Sequence, residues 1–266
     1  MKKVSSEELK ELQMQILDYV DTFCRKHEIH YTISGGTLLG AVRHGGYIPW
    51  DDDVDIQMLR DEYIKFTELW NQHKNEHGYF ELINIESGNN MGYPFGKVHD
   101  TRTTTYLSNI ERTGVFVDVF PVDKVCSEDD FVKRHNQIKN LYRKRAAAFR
   151  RIVVDNTESS FLQKLKAHLL CPRKSFNQIC EEINELAQAH NSDSCSQVFE
   201  MISGFRCKHT MPTEIFEQYA EINFENRTYM AVKDYHQYLT LTFGDYMTPP
   251  PVEKQIAEHG FVPYWK

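Results

Sequence analysis

Two kinds of segment are missing from this 266-residue sequence: an apolar leader and a long hydrophobic run. The chain begins with Lys2 and Lys3 but has no apolar core of the kind that a signal peptide needs. No apolar stretch approaches the roughly 18 residues that suggest a membrane-spanning helix. With 41% hydrophobic and 26% charged residues, the composition is typical of a soluble globular protein, which we expect to stay in the cytoplasm.

Closely spaced cysteine pairs are also missing. No two of the six cysteines have the CxxC spacing, and without an export signal reduced thiols are expected. A structural zinc site that uses Cys195, Cys207 and His209 is a weaker alternative, because zinc ligands usually lie closer together in sequence. The cysteines are Cys24, Cys126, Cys171, Cys180, Cys195 and Cys207.

Acidic residues are absent from one long segment, although the net charge is −7. Residues 131–151 contain eight Lys and Arg side chains and no Asp or Glu, which leaves 23 of the 31 basic residues against all 38 acids elsewhere. A solvated helix face is the default interpretation of such a segment. Peripheral contact with an anionic membrane is the second interpretation. No nucleic-acid partner is expected, because aromatic residues are not interleaved at stacking spacing.

The periodicity of apolar residues predicts an α+β fold, in which helices flank a mixed β-sheet and the C-terminal half is largely helical. A catalytic core over 1–125 and a helical region over 126–266 that completes the site form the predicted domains, with one continuous domain as the alternative. Ser5 and Glu8 predict a capping box, and Thr37 a second helix cap. Helices are predicted at 5–27, 37–42, 61–70, 127–150, 159–170, 175–190 and 233–242, and strands at 31–34, 53–58, 80–85, 94–99, 115–120, 198–202 and 220–224.

Three carboxylates and a glycine pair predict a site for chemistry at phosphorus. Asp53 and Asp55 lie two residues apart on a predicted strand, so that both point to the same face and can reach paired metal ions. Asp118 lies in an otherwise apolar strand, where an unpaired carboxylate is costly, and we expect it to meet a metal or another cation. Gly35 and Gly36 end a strand before a helix, where backbone N–H groups can approach phosphate oxygens.

Simpler interpretations of the acidic run exist. Asp51, Asp52 and Asp53 can form a solvated acidic turn. An EF-hand is excluded, because Ile56 stands at the loop position that requires glycine.

Taken together, three segments resemble the LicD family, the group of phosphocholine transferases that also includes the fukutin-related ribitol-phosphate transferases. The longest and most specific segment runs from Ser34 to Ile56, and the other two are Gly114–Asp123 and Phe243–Pro250. The likeness extends over roughly residues 10 to 260. Phe243 stands where the family more often has tyrosine.

The resemblance implies a nucleotidyltransferase fold with Mg²⁺, or Mn²⁺, bound by Asp53, Asp55 and Asp118. It also implies a CDP-alcohol donor, CMP as the leaving group, and a glycan or lipid-linked glycan as the acceptor, with phosphocholine as the favoured cargo. The alternatives are a nucleotidyltransferase that moves NMP from NTP, and a binding module without activity. The candidate phosphate-binding residues are Ser34, Gly35, Gly36, Arg43, His44 and Lys97.

Overall fold

The computed structural model describes residues 1–88, 92–107, 110–170, 174–192, 194–202, 209–256 and 262–266. Its helices are α1 (Ser6–Lys26), α2 (Gly35–His44), α3 (Arg60–Gln72), α4 (Glu128–Asp155), α5 (Phe161–Leu170), α6 (Phe176–Ala187) and α7 (Tyr235–Phe243). Its strands are β1 (Thr32–Ile33), β2 (Asp55–Leu59), β3 (Phe80–Ile83), β4 (Gly96–Asp100), β5 (Thr103–Leu107), β6 (Ile110–Glu111), β7 (Phe116–Val125), β8 (Gln197–Phe199), β9 (Met211–Pro212), β10 (Tyr219–Phe224), β11 (Arg227–Val232) and β12 (Pro263–Trp265). The predicted α+β class is confirmed.

Helix α1 forms where the sequence predicts it. The Ser5 side chain accepts a hydrogen bond from the Glu8 backbone N–H, and the Glu8 carboxylate accepts one from the Ser5 N–H, so the predicted capping box is present. The apolar stripe of the helix, which includes Leu12, Ile16 and Val20, is buried against β4 and β7. Helix α1 therefore covers one face of the central sheet.

The central sheet is mixed, as predicted. Its strand order is β1-β2-β7-β4-β3, and β2 and β7 run parallel while the other neighbours along this path are antiparallel. Strand β7 is long enough to pair with β4 through its first half and with β8 through its last three residues. The first half of β7 therefore lies at the centre of the sheet, with the carboxylate-bearing strand β2 on one side and β4 on the other.

Two clusters of buried apolar residues support the fold. The larger cluster joins α1 and the central sheet to the β10–β11 hairpin and α7, so it combines residues from both halves of the chain. The smaller cluster packs α4 and α6 against the end of β7 and β8. The predicted domain boundary at 125/126 stays a prediction.

Some local predictions are wrong. Thr37 does not cap α2: the N-cap is Ser34, and the Thr37 hydroxyl instead accepts a hydrogen bond from the Asp55 N–H at 2.9 Å. Strand β2 begins at Asp55, so Asp53 precedes the strand rather than lying within it. The hairpin partner β11 was not predicted, because its turn places Glu225 at φ 55° and lacks the glycine that marks tight hairpins.

The basic segment 131–151 forms most of α4, but not all of its cations face solvent. Arg134 is 3% exposed, pairs with Asp130 and donates to the backbone oxygens of Lys124 and Ala187. Arg145 donates to the Gly92 backbone oxygen. At least two of the eight basic side chains therefore hold α4 in place instead of forming a surface for a partner.

Cys126 and Cys195 form a disulfide, which differs from the expected reduced state of all thiols. Cys126 directly follows β7, and Cys195 lies just before β8, so the antiparallel pairing of the two strands brings the sulfur atoms together. Cys195 is therefore not a zinc ligand in this state, and Cys207 lies outside the described residues. Cys24 and Cys180 are buried free thiols.

Reduction of this disulfide should lower stability, because the bond closes a loop with a sequence separation of 69 residues. By the chain-entropy relation, a loop of this size corresponds to about 4 kcal/mol of unfolding free energy. We expect urea unfolding of the oxidised wild type to shift to lower denaturant on reduction, and the Cys126→Ser variant to be insensitive to reductant. An identical midpoint for the oxidised and reduced wild type would show that the bond does not contribute.

Candidate functional site

Three charged side chains stand in one row across the centre of the sheet. Asp55 on β2 is in register with Asp118 on β7, and Asp118 is in register with Lys97 on β4. Residues in register on neighbouring strands lie about 4.8 Å apart, and their side chains leave the same face. Lys97 and Asp118 form an ion pair in which both side chains are largely buried. The prediction that Asp118 meets a metal or another cation is therefore confirmed, and the cation is Lys97.

The Gly35-Gly36 turn brings the start of α2 against the carboxylates. Gly35 has φ 53°, and a Cβ atom there would lie 3.2 Å from Oδ2 of Asp55. A Cβ atom on Gly36 would overlap the Asp51 carboxylate. A side chain at position 35 would be strained by the positive φ, and a Cβ atom at position 36 would force the Asp51 carboxylate to move. The N-terminal end of α2 also offers a positive dipole to anions in the same place.

The carboxylates are close enough to disfavour one another's charge. Burial raises the pKa of Asp55 well above its usual range, and the negative charges of Asp53, Asp118, Glu200 and Asp51 raise it further. One oxygen from each of Asp51, Asp52 and Asp53 lies within 4.8 Å of the others. Such a concentration of negative charge favours a bound cation.

Mg²⁺ fits this donor set. Carboxylate oxygens are the ligands that hard divalent cations prefer. Asp51, Asp53, Asp55 and Asp118 line the same cavity as the first residues of α2. The Ser34 hydroxyl oxygen is buried, lines the same cavity and has no hydrogen-bond partner among the described residues. The site thus combines anionic donors with a polar atom that lacks a partner within the described chain.

The site opens into a cavity of about 1190 Å³. Most of the predicted site residues line it, but His44 is exposed at the end of α2 and is not part of the lining. Arg43 reaches the cavity and donates to the Tyr246 backbone oxygen at 2.8 Å. The predicted residues that the structure brings together there are Ser34, Gly35, Gly36, Arg43, Asp53, Asp55, Lys97 and Asp118.

Aromatic rings fix the position of Lys97. Its ammonium nitrogen lies 3.5 Å from the ring centre of Phe116, 4.6 Å from that of Tyr93 and 5.2 Å from that of Phe95. Attraction between a cation and aromatic faces, added to the ion pair with Asp118, holds the side chain in one orientation. Lys97 is therefore a rigid positive charge at the edge of the carboxylate cluster.

A polar chain that was not predicted from the sequence reaches across the cavity. The Gly35 N–H points at the Tyr238 hydroxyl (3.5 Å), which donates to Oε1 of Gln57 at 2.9 Å, and the Gln57 amide contacts the Glu200 carboxylate. Gln57 follows Asp55 by two residues on β2 and therefore lies on the same face of the strand. Glu200 and Tyr238 lie more than 140 residues from β2, and no local motif marks either of them.

The comparisons with known proteins agree on one family. Residues 28–174 match the family described as LicD/FKTN/FKRP, nucleotidyltransferase domain. The lipopolysaccharide cholinephosphotransferase LicD of Haemophilus influenzae is 31% identical over 265 residues, which cover 97% of each chain. The chain belongs to the LicD family. This membership confirms the resemblance that the three sequence segments indicated.

Two further relatives match only a short part of this LicD-family chain. Human ribitol 5-phosphate transferase FKRP is 44% identical over 41 residues, which are 15% of this chain and 8% of the human protein. An uncharacterised protein of Rickettsia typhi is 43% identical over 60 residues, 23% of this chain and 19% of that protein. Among the described residues of this LicD-family member, no helix is both long and apolar enough to cross a membrane.

A methyl group on Gly36 should damage the site without unfolding the protein. In Gly36→Ala, the added Cβ displaces the Asp51 carboxylate, and we expect Mg²⁺ affinity to fall at least about tenfold. The matched control is Gly45→Ala at the other end of α2, where φ is 73° and no atom of the described residues lies within 4 Å of the added Cβ. That control should lose about 1 kcal/mol of stability and keep its affinity. Titration calorimetry and urea unfolding measure both quantities, and equal Mg²⁺ affinity in the two variants would contradict this role for Gly36.

Proposed function

We propose that this LicD-family phosphotransferase moves a phospho-alcohol, phosphocholine first among the candidates, from a CDP-alcohol to a hydroxyl of a glycan or lipid-linked glycan. CMP would be the leaving group. The observation that carries the proposal is the row of Asp55, Asp118 and Lys97 beside the Gly35-Gly36 turn. The printed activities of two relatives, a cholinephosphotransferase and a ribitol 5-phosphate transferase, support transfer of a phospho-alcohol.

The carboxylates would hold the metal. Asp53, Asp55 and Asp118 all line the same cavity, and the Asp51 carboxylate lies beside Gly36. Bound Mg²⁺ would neutralise charge on the donor pyrophosphate and on the departing CMP. Transfer at phosphorus depends mainly on positioning and on charge stabilisation, and a preorganised carboxylate cluster with a fixed lysine is suited to both.

The residues of the chain itself would position the donor. The N-terminal end of α2 and the Ser34 hydroxyl can donate to phosphate oxygens. Lys97 and Arg43 supply positive charge at the cavity wall. Asp118 or Glu200 would accept the proton of the attacking hydroxyl, because both carboxylates border the cavity that the acceptor must enter.

The proposal is tested by offering the protein a panel of CDP-alcohols with Mg²⁺. We expect CMP release from at least one donor, with CDP-choline tried first, and faster release when a glycan acceptor is present. A parallel reaction with the four NTPs tests the alternative, in which the protein transfers NMP from an NTP. Release of pyrophosphate from an NTP, with no CMP from any CDP-alcohol, would replace the proposal with nucleotidyl transfer.

A further inference from the structure

Helix α5 exposes an apolar stripe to solvent. Phe161 is 79% exposed, Leu162 74%, Leu165 45% and Leu169 74%. At about 100° per residue, these four side chains fall within an arc of about 100° on one side of the helix. A surface helix of a globular protein normally turns such a stripe towards the core. Helix α5 does the opposite.

The protein body contacts the other side of α5. The helix packs on α4, and the partly buried Ala167 projects from the side opposite the apolar stripe. His168 pairs with Asp155 at the end of α4, with 2.9 Å between Nε2 and Oδ1. These contacts fix α5 with its apolar stripe directed away from the protein. The exposed stripe amounts to a few hundred Å², which is the size of patches that mark interaction sites.

Basic residues lie on α5 and on the part of α4 that packs against it. The sequence from 159 to 180 contains no Asp or Glu, and Lys166 on α5 is exposed. The end of α4, which packs against α5, adds the exposed Arg150 and the half-buried Arg151. The rest of the chain is acidic, with a net charge of −7 overall. A local basic zone on an acidic protein complements a negatively charged partner.

We propose that α5 binds the surface of an anionic lipid bilayer, with Phe161, Leu162, Leu165 and Leu169 inserted among the lipid headgroups. Lys166 and Arg150 then contact the negative headgroups at the edge of the inserted stripe. An exposed apolar face bordered by basic residues is the pattern of helices that lie in a membrane interface. Apolar insertion and basic attraction together give stable attachment where either contribution alone is weak. The sequence placed the membrane contact at residues 131–151. On the present proposal it lies mainly on α5, and the end of α4 contributes charge.

Flotation with vesicles tests the proposal without any turnover, so its result is independent of the proposed function. The full-length protein is mixed with vesicles of phosphatidylcholine alone or with about one quarter phosphatidylglycerol. We expect wild type to float with the anionic vesicles, more weakly with the neutral ones, and less at about 0.5 M salt. Absence of wild type from the anionic vesicles at low salt would overturn the proposal.

Two sets of variants separate the contributions. Combined Leu162→Gln, Leu165→Gln and Leu169→Gln should reduce binding at least about tenfold at every salt concentration, whereas Lys166→Gln with Arg150→Gln should remove mainly the preference for anionic vesicles. The matched control is Val252→Gln, which replaces an equally exposed side chain (79%) outside α5 and should bind as wild type does. Circular dichroism checks that each variant is folded.

A second copy of the chain is the competing occupant. If wild type forms a dimer without lipid and the triple glutamine variant is monomeric, the stripe is a dimer interface and the proposal is overturned. Vesicle binding by the triple variant equal to that of wild type would overturn it as well.

Discussion

Replacing Asp53 or Asp55 with asparagine should abolish transfer and leave the fold intact. Both carboxylates border the space next to Gly35-Gly36, and an amide cannot supply the negative charge that holds a divalent cation. We expect the rate of CMP release from the active CDP-alcohol to fall at least about 10³-fold in each variant. The matched control is Asp61→Asn, which alters an exposed carboxylate in the first turn of α3 and should retain full activity.

Asp55→Asn should also change how stability depends on pH. The pKa of Asp55 is raised by burial and by neighbouring acids, so the folded protein binds its proton more tightly than the unfolded chain does. Without metal, stability should therefore fall as the pH rises from the ordinary aspartate pKa through the raised one. The asparagine variant lacks this dependence and should be as stable as wild type or more so above that range. Measurable transfer by either Asn variant, with normal unfolding curves, would refute the metal assignment.

Replacing Lys97 with methionine should lower both the stability and the activity of the protein. The substitution leaves the largely buried Asp118 without its cation. Removing one partner of a buried ion pair typically costs about 3–5 kcal/mol, which urea unfolding of the metal-free protein would measure. Mg²⁺ should restore part of the lost stability, because the cation supplies positive charge near Asp118.

A double-mutant cycle checks that the effect of Lys97→Met comes from the ion pair. Lys97→Met with Asp118→Asn should be more stable than Lys97→Met alone, since no unpaired charge remains in the interior. Lys133→Met, at an exposed position on α4, controls for loss of a lysine elsewhere. If the double variant is no more stable than Lys97→Met alone, the lost stability comes from packing against Phe116 and its neighbours rather than from charge.

Local signals were enough to predict the elements that carry the site. The capping box of α1 depends on residues three positions apart, and residues 115–120 are apolar except for Asp118. The cost of an unpaired buried carboxylate correctly predicted that Asp118 has a cationic neighbour. Lys97 itself was named as a phosphate ligand, and its pairing with Asp118 depends on strand register, which the sequence does not reveal.

The remainder of the site depends on contacts between distant parts of the chain. Glu200 and Tyr238 reach the cavity because β8 pairs with β7 and α7 packs on α2. Neither residue belongs to a motif with regular spacing. The Thr37 prediction failed for a related reason, since its hydroxyl is engaged by the Asp55 backbone N–H across a tertiary contact that outweighs local capping preference.

On the proposed mechanism, the carboxylates beside Gly35-Gly36 bind a divalent cation. Electron paramagnetic resonance of Mn²⁺ titrated into the metal-free protein detects such binding, because bound and free Mn²⁺ give different signals. We predict saturable Mn²⁺ binding to wild type that is lost in the Asp53→Asn and Asp55→Asn variants and retained in Asp61→Asn. Mn²⁺ binding that is equal in wild type and in both site variants would exclude a metal site at Asp53 and Asp55.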